Sequence, residues 1–316
     1  MKVVIAGGSG QVGTVLARHF YAQGYAVVVL SRRVFAAPWR VVAWDGRTVG
    51  AWAAELDGCD VLINLTGRSV NCRYHAANRR EILDSRVDST RVLHAVVAAA
   101  VQPPRVWLNA STATLYRHSL DRAMDEATGE LGGDEPGAPE TWNFSIEVGK
   151  AWEDAFFAVK TPQTRQMALR SAMTMSPDRG GVFDVLLGLV RRGLGGTIGP
   201  GTQYVSWIHE MDFVRAVEFL IARECFDGVE NLAAPGPLPN RDFMRVLREA
   251  WGIGFGLPCP RWMLEVGTFV MRTESELVLK SRQVVPGRLS EAGFVFVYPE
   301  WGAAARELVA RWRASR

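Results

Sequence analysis

Residues 3–13 read VVIAGGSGQVG, an apolar run that is followed at once by glycines at four positions. The run Val3–Ala6 is typical of a strand buried on both faces, and from Val12 onward the apolar residues follow the spacing of a helix. Strand, glycine turn and helix in this order predict the first half of a βαβ unit that binds a nucleotide. The position of the glycines directly after a strand makes the pattern more specific than a glycine-rich turn alone.

The glycines of this turn fit both G-x-G-x-x-G from Gly8 and G-x-x-G-x-x-G from Gly7. Glycines leave no Cβ between the backbone and a pyrophosphate, and the last of them lets the helix pack close to the strand. The helix N-terminus would add unpaired N–H groups and a partial positive charge. The residues expected to contact the cofactor here are Gly7, Ser9, Gly10, Gln11, Val12 and Gly13.

The residues that follow the second predicted strand, Tyr25–Leu30, distinguish an NAD site from an NADP site. An NAD site usually has a carboxylate here, which binds the ribose 2′-hydroxyl and repels a 2′-phosphate. The chain has Ser31, Arg32 and Arg33 instead, and guanidinium groups suit a phosphate. We therefore expect NADP rather than NAD, although two surface arginines in an arginine-rich chain would look the same.

Composition excludes several other classes of protein. The chain has 316 residues, of which 48% are hydrophobic and 22% charged, as in ordinary globular enzymes. Its net charge of +3 comes without a basic run, so nucleic acid is not indicated as a partner. Its four cysteines form no C-x-x-C pair, which argues against a metal site or a disulfide framework. The first apolar run is too short for a signal peptide and no later run suggests a membrane span, so a cytoplasmic location is expected.

Alternation of strands and helices continues through the first half of the chain. Five more strands are predicted, at 40–44, 60–65, 105–110, 166–170 and 228–233. In a doubly wound sheet the C-terminal ends of the strands line the ligand crevice, so Leu65, Thr66, Gly67 and Ala110 are expected against the cofactor. The pattern predicts an α/β fold with a Rossmann-type, doubly wound parallel sheet.

Beyond residue 170 the strand–helix rhythm is lost. Residues 171–204, which include a glycine-rich loop at 193–201, and the mostly helical residues 234–316 are assigned to a smaller C-terminal lobe that binds substrate. The NAD(P)-binding domain then comprises residues 1–170 and 205–233. In the second lobe, Gln203 and Tyr204 are expected to contact substrate.

Several longer motifs resemble one family along nearly the whole chain. The chain is similar to the extended and atypical short-chain dehydrogenase/reductases, and most similar to NAD(P)-binding epimerase family proteins with a helical C-terminal domain of unknown function. The resemblance implies a Rossmann domain, a C-terminal substrate lobe and a cofactor that is usually NADP. The motifs that carry it are GGSGQVG at 7–13, VLINLTG at 61–67, SRVDSTRVL at 85–93, FSIEVGKAWE at 144–153, GLGGTIGPGTQYVSWIHEMD at 193–212 and VVPGRLSEAGFVF at 284–296.

The resemblance also implies a hydroxyl residue that polarises the substrate oxygen, together with a Tyr-x-x-x-Lys acid/base pair. Thr112 falls at the hydroxyl position. The pair is missing in both possible registers. If Lys150 is the lysine, Ile146 takes the tyrosine position; if Glu153 is aligned with the usual downstream acid, Ser145 and Gly149 take the two positions.

Other groups are candidates for the missing acid or base. Tyr116 follows the predicted strand mouth, His209 titrates in a useful range, and Glu147 lies one turn into a predicted helix. Each also has a structural alternative: packing or cofactor contact for the tyrosine, a helix start for the histidine, and a solvated carboxylate for the glutamate. Arg86 and Asp84 are expected to form a structural polar pair.

The pattern as a whole favours an NADP-dependent oxidoreductase or epimerase that acts on a small carbonyl or hydroxyl compound. The alternative is an NADP(H)-binding sensor or partner-binding module that has lost turnover, because the Tyr-x-x-x-Lys pair is absent. A long predicted helix at 81–100 suggests a homodimer by analogy with relatives. A small-molecule substrate is expected, with neither nucleic acid nor membrane as a partner.

Overall fold

The computed structural model describes residues 1–133, 135, 139–259 and 276–316. Seven of its strands form one sheet in the order β10-β6-β5-β4-β1-β2-β3, and every pair in this sheet is parallel. The strands are β1 (Lys2–Ala6), β2 (Ala26–Ser31), β3 (Arg40–Ala43), β4 (Val61–Asn64), β5 (Val106–Thr112), β6 (Arg165–Ser171), β7 (Met173–Met175), β8 (Tyr204–Val205), β9 (Trp207–His209), β10 (Gly228–Leu232) and β11 (Leu238–Pro239). The predicted Rossmann-type sheet is confirmed.

The order in which successive strands are added to the sheet reverses at β1. This strand pairs with β2 on one side and with β4 on the other. Crevices at such a switch point, outside the C-terminal strand ends, are where open α/β sheets bind ligands. Asn64 at the end of β4 is buried, and its amide donates to Asn109 Oδ1 on β5 at 2.7 Å. This bond ties together two strand ends that border the crevice.

Helices cover both faces of the sheet. Leu16, Phe20, Phe213 and Val217 pack on one face, and a second core cluster containing Leu93, Trp107 and Phe156 packs on the other. No helix within the described ranges is long and apolar enough to cross a membrane. The helices are α1 (Gln11–Ala22), α2 (Ala76–Ala99), α3 (Glu140–Phe157), α4 (Val182–Arg191), α5 (Glu210–Ala222), α6 (Asn240–Trp251), α7 (Glu276–Leu279), α8 (Gly287–Glu291) and α9 (Trp301–Ala314), with 3₁₀ turns at Ala51–Glu55 and Ala113–Leu115.

A third hydrophobic core joins α4, α6 and α9 beyond the sheet. Its centre is a stacked pair, Phe243 and Trp301, with ring centroids 4.1 Å apart. His209 links this core to the sheet domain, because its Nδ1 accepts from Met211 N at the start of α5 and its Nε2 lies 2.9 Å from Glu307 Oε2 on α9. The division of the chain into two lobes at the boundaries given above stays a prediction.

Candidate cofactor and substrate site

The glycine turn between β1 and α1 is built by close backbone contacts. Gly7 has φ +72°, and a Cβ there would lie 2.7 Å from Cα of Thr66 in the loop after β4. A Cβ on Gly13 would lie 2.4 Å from Cα of Gly8, so only glycine lets α1 approach the turn this closely. Gly10, in contrast, has no described atom within 4 Å of its Cβ position. The open side of the turn is therefore at Gly10, which is also the N-cap residue of α1.

Two polar side-chain atoms close to the glycine turn have no partner among the described residues. Gln11 Nε2 and Thr66 Oγ1 are buried, and neither makes a hydrogen bond to any described residue. The N–H groups at the start of a helix attract an anion, and the open side at Gly10 leaves room for one. The residues present thus fit a dinucleotide pyrophosphate.

At the end of β2 the predicted cofactor residues fall into two kinds. Ser31 is buried, and its Oγ accepts from Arg33 N at 3.4 Å. Arg32 and Arg33 are exposed, and neither forms an ion pair with a residue that the structure describes. Their guanidinium groups are thus available to a phosphate.

A cavity of about 270 Å³ opens at the mouth of β5, on the side of the sheet where α2 and α3 pack. Its walls come from the β4–α2 connection, α2, β5, α3 and the segment from 276 to 282. The lining residues are Val70, Tyr74, Ile82, Arg86, Ser111, Thr112, Thr114, Phe144, Ser145, Val148, Gly149, Trp152, Glu276 and Arg282.

Thr112 is the last residue of β5, and it contributes to the cavity wall. Its Oγ1 accepts a hydrogen bond from Thr114 N at 3.1 Å, which fixes the side chain at the start of the 3₁₀ turn. A hydroxyl that accepts from a backbone N–H still has its own proton to donate. The bond to Thr114 therefore leaves the hydroxyl proton of Thr112 unused.

The structure distinguishes between the two registers of the absent Tyr-x-x-x-Lys pair. Ser145 and Gly149 line the cavity, whereas Ile146 is fully buried in packing and Lys150 does not line the cavity. A Cβ on Gly149 would lie 3.3 Å from Cγ2 of Thr112, so this face of α3 meets the end of β5 directly. The helix thus presents a hydroxyl and a glycine to the cavity.

Charged side chains from far along the sequence meet this same face. The Ser145 hydroxyl donates to Glu276 Oε2, and Arg282 lies 3.7 Å from Glu276 Oε1 while its Nε donates to Thr114 Oγ1 at 3.1 Å. Nearby, Lys280 is buried and donates to Thr114 O at 2.8 Å, and burial lowers the pKa of its ammonium group to about 8. The sequence predictions missed Glu276, Lys280 and Arg282, because no local pattern links them to residue 112.

Three residues predicted for catalysis or substrate contact lie elsewhere. Tyr116 is buried, its hydroxyl donates to Asn231 Oδ1 at 3.0 Å, and burial raises its pKa, so the phenol is held outside the cavity. Gln203 is also buried and donates to Ile198 O at 2.8 Å within its own loop. Tyr204 lies in β8, and it is not among the residues that line the cavity.

The remaining acid/base candidates are also placed apart from the cavity. Glu147 is exposed on α3, and His209 is fully buried where it caps α5. The expected Arg86–Asp84 pair is wrong: Asp84 bonds to Arg80 at 3.4 Å. Residues two apart on a helix point in different directions, whereas those four apart share a face. Arg86 instead points toward the cavity.

A buried ion pair supports the strand ends behind this cavity. Arg170 on β6 donates to both carboxylate oxygens of Glu153 on α3, at 2.9 and 2.7 Å. Ser111 on β5 donates to the same carboxylate at 2.5 Å. The pair therefore holds α3 against the C-terminal ends of two neighbouring strands.

Family models and relatives match this chain along most of its length. The model of the NAD dependent epimerase/dehydratase family matches residues 3–139, and that of a domain of unknown function, DUF1731, matches residues 259–308. Epimerase family protein SDR39U1 of Bos taurus is 32% identical over 314 residues, which cover 98% of this chain and 100% of the relative. The human protein of that name is 30% identical over 313 residues, which cover 98% of this chain and all of the relative.

Solved structures agree with these matches. The crystal structure of human SDR39U1 (isoform 2) with NADPH superposes with a TM-score of 0.85 at 30% identity, covering 98% of this chain and 99% of the other. A UDP-N-acetylglucosamine 4-epimerase from Bacillus cereus has a TM-score of 0.76 at 15% identity, covering 99% of each chain, which shows a shared fold alone. The chain therefore belongs to the epimerase family that includes the SDR39U1 proteins, with the fold of the extended short-chain dehydrogenase/reductases.

Proposed function

We propose that the protein is an NADP-dependent oxidoreductase or epimerase that acts on a small carbonyl or hydroxyl compound. One observation carries the proposal: a hydroxyl at the mouth of β5, Thr112, lines a cavity on the same strand-end side of the sheet as the glycine turn. The NADPH in the crystal structure of the human relative supports the choice of cofactor.

The chain's own residues would hold the cofactor at its two phosphate positions. The pyrophosphate would lie against Gly10 and the first N–H groups of α1, with Gln11 and Thr66 as further partners. A 2′-phosphate would lie beside Arg32 and Arg33. When bound, the nicotinamide would supply or accept the hydride, and the protein would supply orientation and proton transfer.

Removing the two arginines should separate NADP from NAD. In Arg32→Ala/Arg33→Ala, the Kd for NADPH is expected to rise by roughly 10–100-fold, because charge-assisted hydrogen bonds to the 2′-phosphate are lost. The Kd for NADH should stay the same. Isothermal titration of both coenzymes measures this, with the exposed Arg80→Ala as the matched control. Equal losses for both coenzymes would contradict the assignment.

Proton transfer would depend on Thr112 and Ser145. The threonine hydroxyl would donate to the substrate oxygen, while Ser145 would accept a proton from a substrate hydroxyl and pass its own to Glu276. The hydrogen bond from Ser145 to Glu276 already points in this direction. Two hydroxyls and a buried carboxylate would thus replace the missing phenol and ammonium pair.

Turnover is the direct test of this proposal. A panel of aldehydes, ketones, hydroxy compounds and nucleotide sugars, followed by the absorbance of NADPH, should yield at least one substrate. For that substrate, Thr112→Ala and Ser145→Ala are each expected to lower kcat by about 10²-fold or more, within the usual contribution of a positioned acid or base. Both variants should keep the melting-temperature increase that NADPH gives to the parent protein, because neither residue lies in the glycine turn.

The second candidate function is an NADP(H) sensor or partner-binding module without turnover. It is favoured by the cavity-facing positions on α3, which hold Ser145 and Gly149 in place of a tyrosine and a lysine. Binding of NADPH with no turnover of the whole panel would select it over the enzyme. Homodimer formation, the cytoplasmic location and the substrate contacts of Gln203 and Tyr204 stay predictions.

A further inference from the structure

Arg86 on α2 is a guanidinium group in the cavity wall that the proposed reaction does not use. Its Nη1 donates to the carbonyl oxygens of Arg68 at 3.1 Å and Ile82 at 2.9 Å. Its Cζ lies 5.0 Å from the centroid of the Trp152 ring and packs against Gly67. The side chain is therefore held in one position by two carbonyls, a ring and a glycine.

No carboxylate among the described residues pairs with this guanidinium, and its Nε and Nη2 have no partner in the described part of the chain. Burial lowers the pKa of Arg86 to about 10, so the group stays charged at neutral pH. Arg86 is half-buried, and a charge that is partly removed from water without a counter-charge is costly. The geometry leaves the Nε and Nη2 side of the guanidinium for a partner that is not part of the chain.

The charge of the described cavity wall points the same way. Two guanidinium groups line it, those of Arg86 and Arg282, against the single carboxylate of Glu276, which already accepts from Ser145 and lies 3.7 Å from Arg282. One positive charge is left over. A ligand with one negative charge would balance it.

The size of the cavity limits the ligand further. At about 270 Å³ it is smaller than the roughly 300–1,000 Å³ of pockets that hold drug-sized ligands. Its apolar wall, which includes Val70, Phe144 and Val148, suits a short hydrocarbon body. A small acid fits this space better than a nucleotide sugar.

We propose that the cavity binds a small monocarboxylate substrate and that Arg86 anchors its carboxylate. This inference rests on the proposed function and names the substrate class for the same site. The guanidinium fork would bind the carboxylate through two parallel N–H···O bonds, a geometry that arginine favours. The anchored end would then fix the carbonyl or hydroxyl carbon toward Thr112 and Ser145 in the same cavity.

The test compares acids with their own neutral derivatives. Short-chain 2-oxo and 2-hydroxy monocarboxylates, each beside its methyl ester and its amide, are titrated into NADP⁺-loaded protein by calorimetry and by melting temperature. At least one acid is expected to bind, and at least about tenfold more tightly than its ester, as a charge-assisted bond predicts. Arg86→Met should abolish this preference, and Arg86→Lys should keep part of it. Arg91→Met removes the same charge from an exposed position on α2 and should change nothing.

Three results would overturn the proposal: no acid binds, esters bind as tightly as acids, or Arg86→Met keeps the preference. The melting-temperature increase caused by NADPH is measured in every variant, so failure of the proposed function is recognised separately. If the parent protein shows no NADPH shift, the cofactor assignment fails. If that shift is present and the acids do not bind, only the carboxylate site fails. If Arg86→Met does not fold, Arg86→Lys and the ester comparison in the parent protein still decide.

Discussion

Gly10→Val should abolish NADPH binding and lower the stability of the free protein by about 1 kcal/mol at most, because valine is a poorer N-cap residue than glycine. Gly10 has φ −80° and ψ 175°, which any residue adopts, and no described atom lies within 4 Å of its Cβ position. The added side chain therefore meets no part of the described protein, but it fills the space where the pyrophosphate would approach the backbone. We expect the Kd for NADPH to rise at least a hundredfold, equivalent to about 2.7 kcal/mol.

Melting temperatures with and without NADPH, together with calorimetric titration, check this result. Gly254→Val is the matched control, because it also adds a side chain where no described atom lies within 4 Å, but in a distant exposed loop. Gly13→Ala is a poor probe, since its Cβ would meet the backbone of Gly8 and lower the stability of the free protein. Undiminished NADPH binding by Gly10→Val would refute the location of the cofactor site.

Glu153→Ala should have the largest effect on stability. It removes both carboxylate acceptors of Arg170, whose side chain is only 9% exposed, and leaves that charge buried with the Tyr116 ring but without a counter-charge. Breaking a buried pair in this way costs about 3–5 kcal/mol. In the parent protein burial lowers the pKa of Arg170 and Glu153 raises it, with a net upward shift. The variant loses the contribution of Glu153, but a guanidinium group stays protonated in proteins, so the charge remains.

The free energy of unfolding in urea measures this loss. Glu249→Ala breaks an exposed pair with Arg245 and should change the stability by less than about 1 kcal/mol. A double variant, Glu153→Leu/Arg170→Met, should be more stable than Glu153→Ala, because it leaves no unpaired charge. A loss below about 1 kcal/mol in the single variant would show that the pair does not support the strand ends.

Local patterns were sufficient to predict the sheet. Inner strands such as β1, β2 and β4 are short, mostly apolar runs, because an inner parallel strand is buried on both faces. The glycine turn was equally visible, since its chemistry depends on four residues within a single turn.

The predicted bounds of the helices agree less well with the structure than those of the strands. Helix α2 begins at Ala76, although the apolar spacing suggested a start near Glu81. His75 caps that helix through Nδ1, and a histidine cap is a weak signal in a sequence.

The residues around the candidate substrate cavity were less accessible to sequence reasoning. Tyr116 follows Thr112 closely, but the 3₁₀ turn between them directs its ring away from the cavity and into a buried cluster with Met124 and Val284. Arg86 stood in a quoted motif, yet its use depends on a cavity that α2 forms only together with α3 and β5.

The amino-acid sequence alone determined the class of fold, the glycine turn and the arginines that favour NADP, because each depends on neighbours within a few residues. Tertiary structure alone decided that Glu276 meets Ser145 and that Arg282 meets Thr114, in each case across more than 100 residues of chain. That meeting requires the segment after α7 to run beside the loop that follows β5, where Met124 N donates to Gln283 O at 2.7 Å. Backbone pairing of this kind carries no side-chain pattern, so no periodicity in the sequence reveals it.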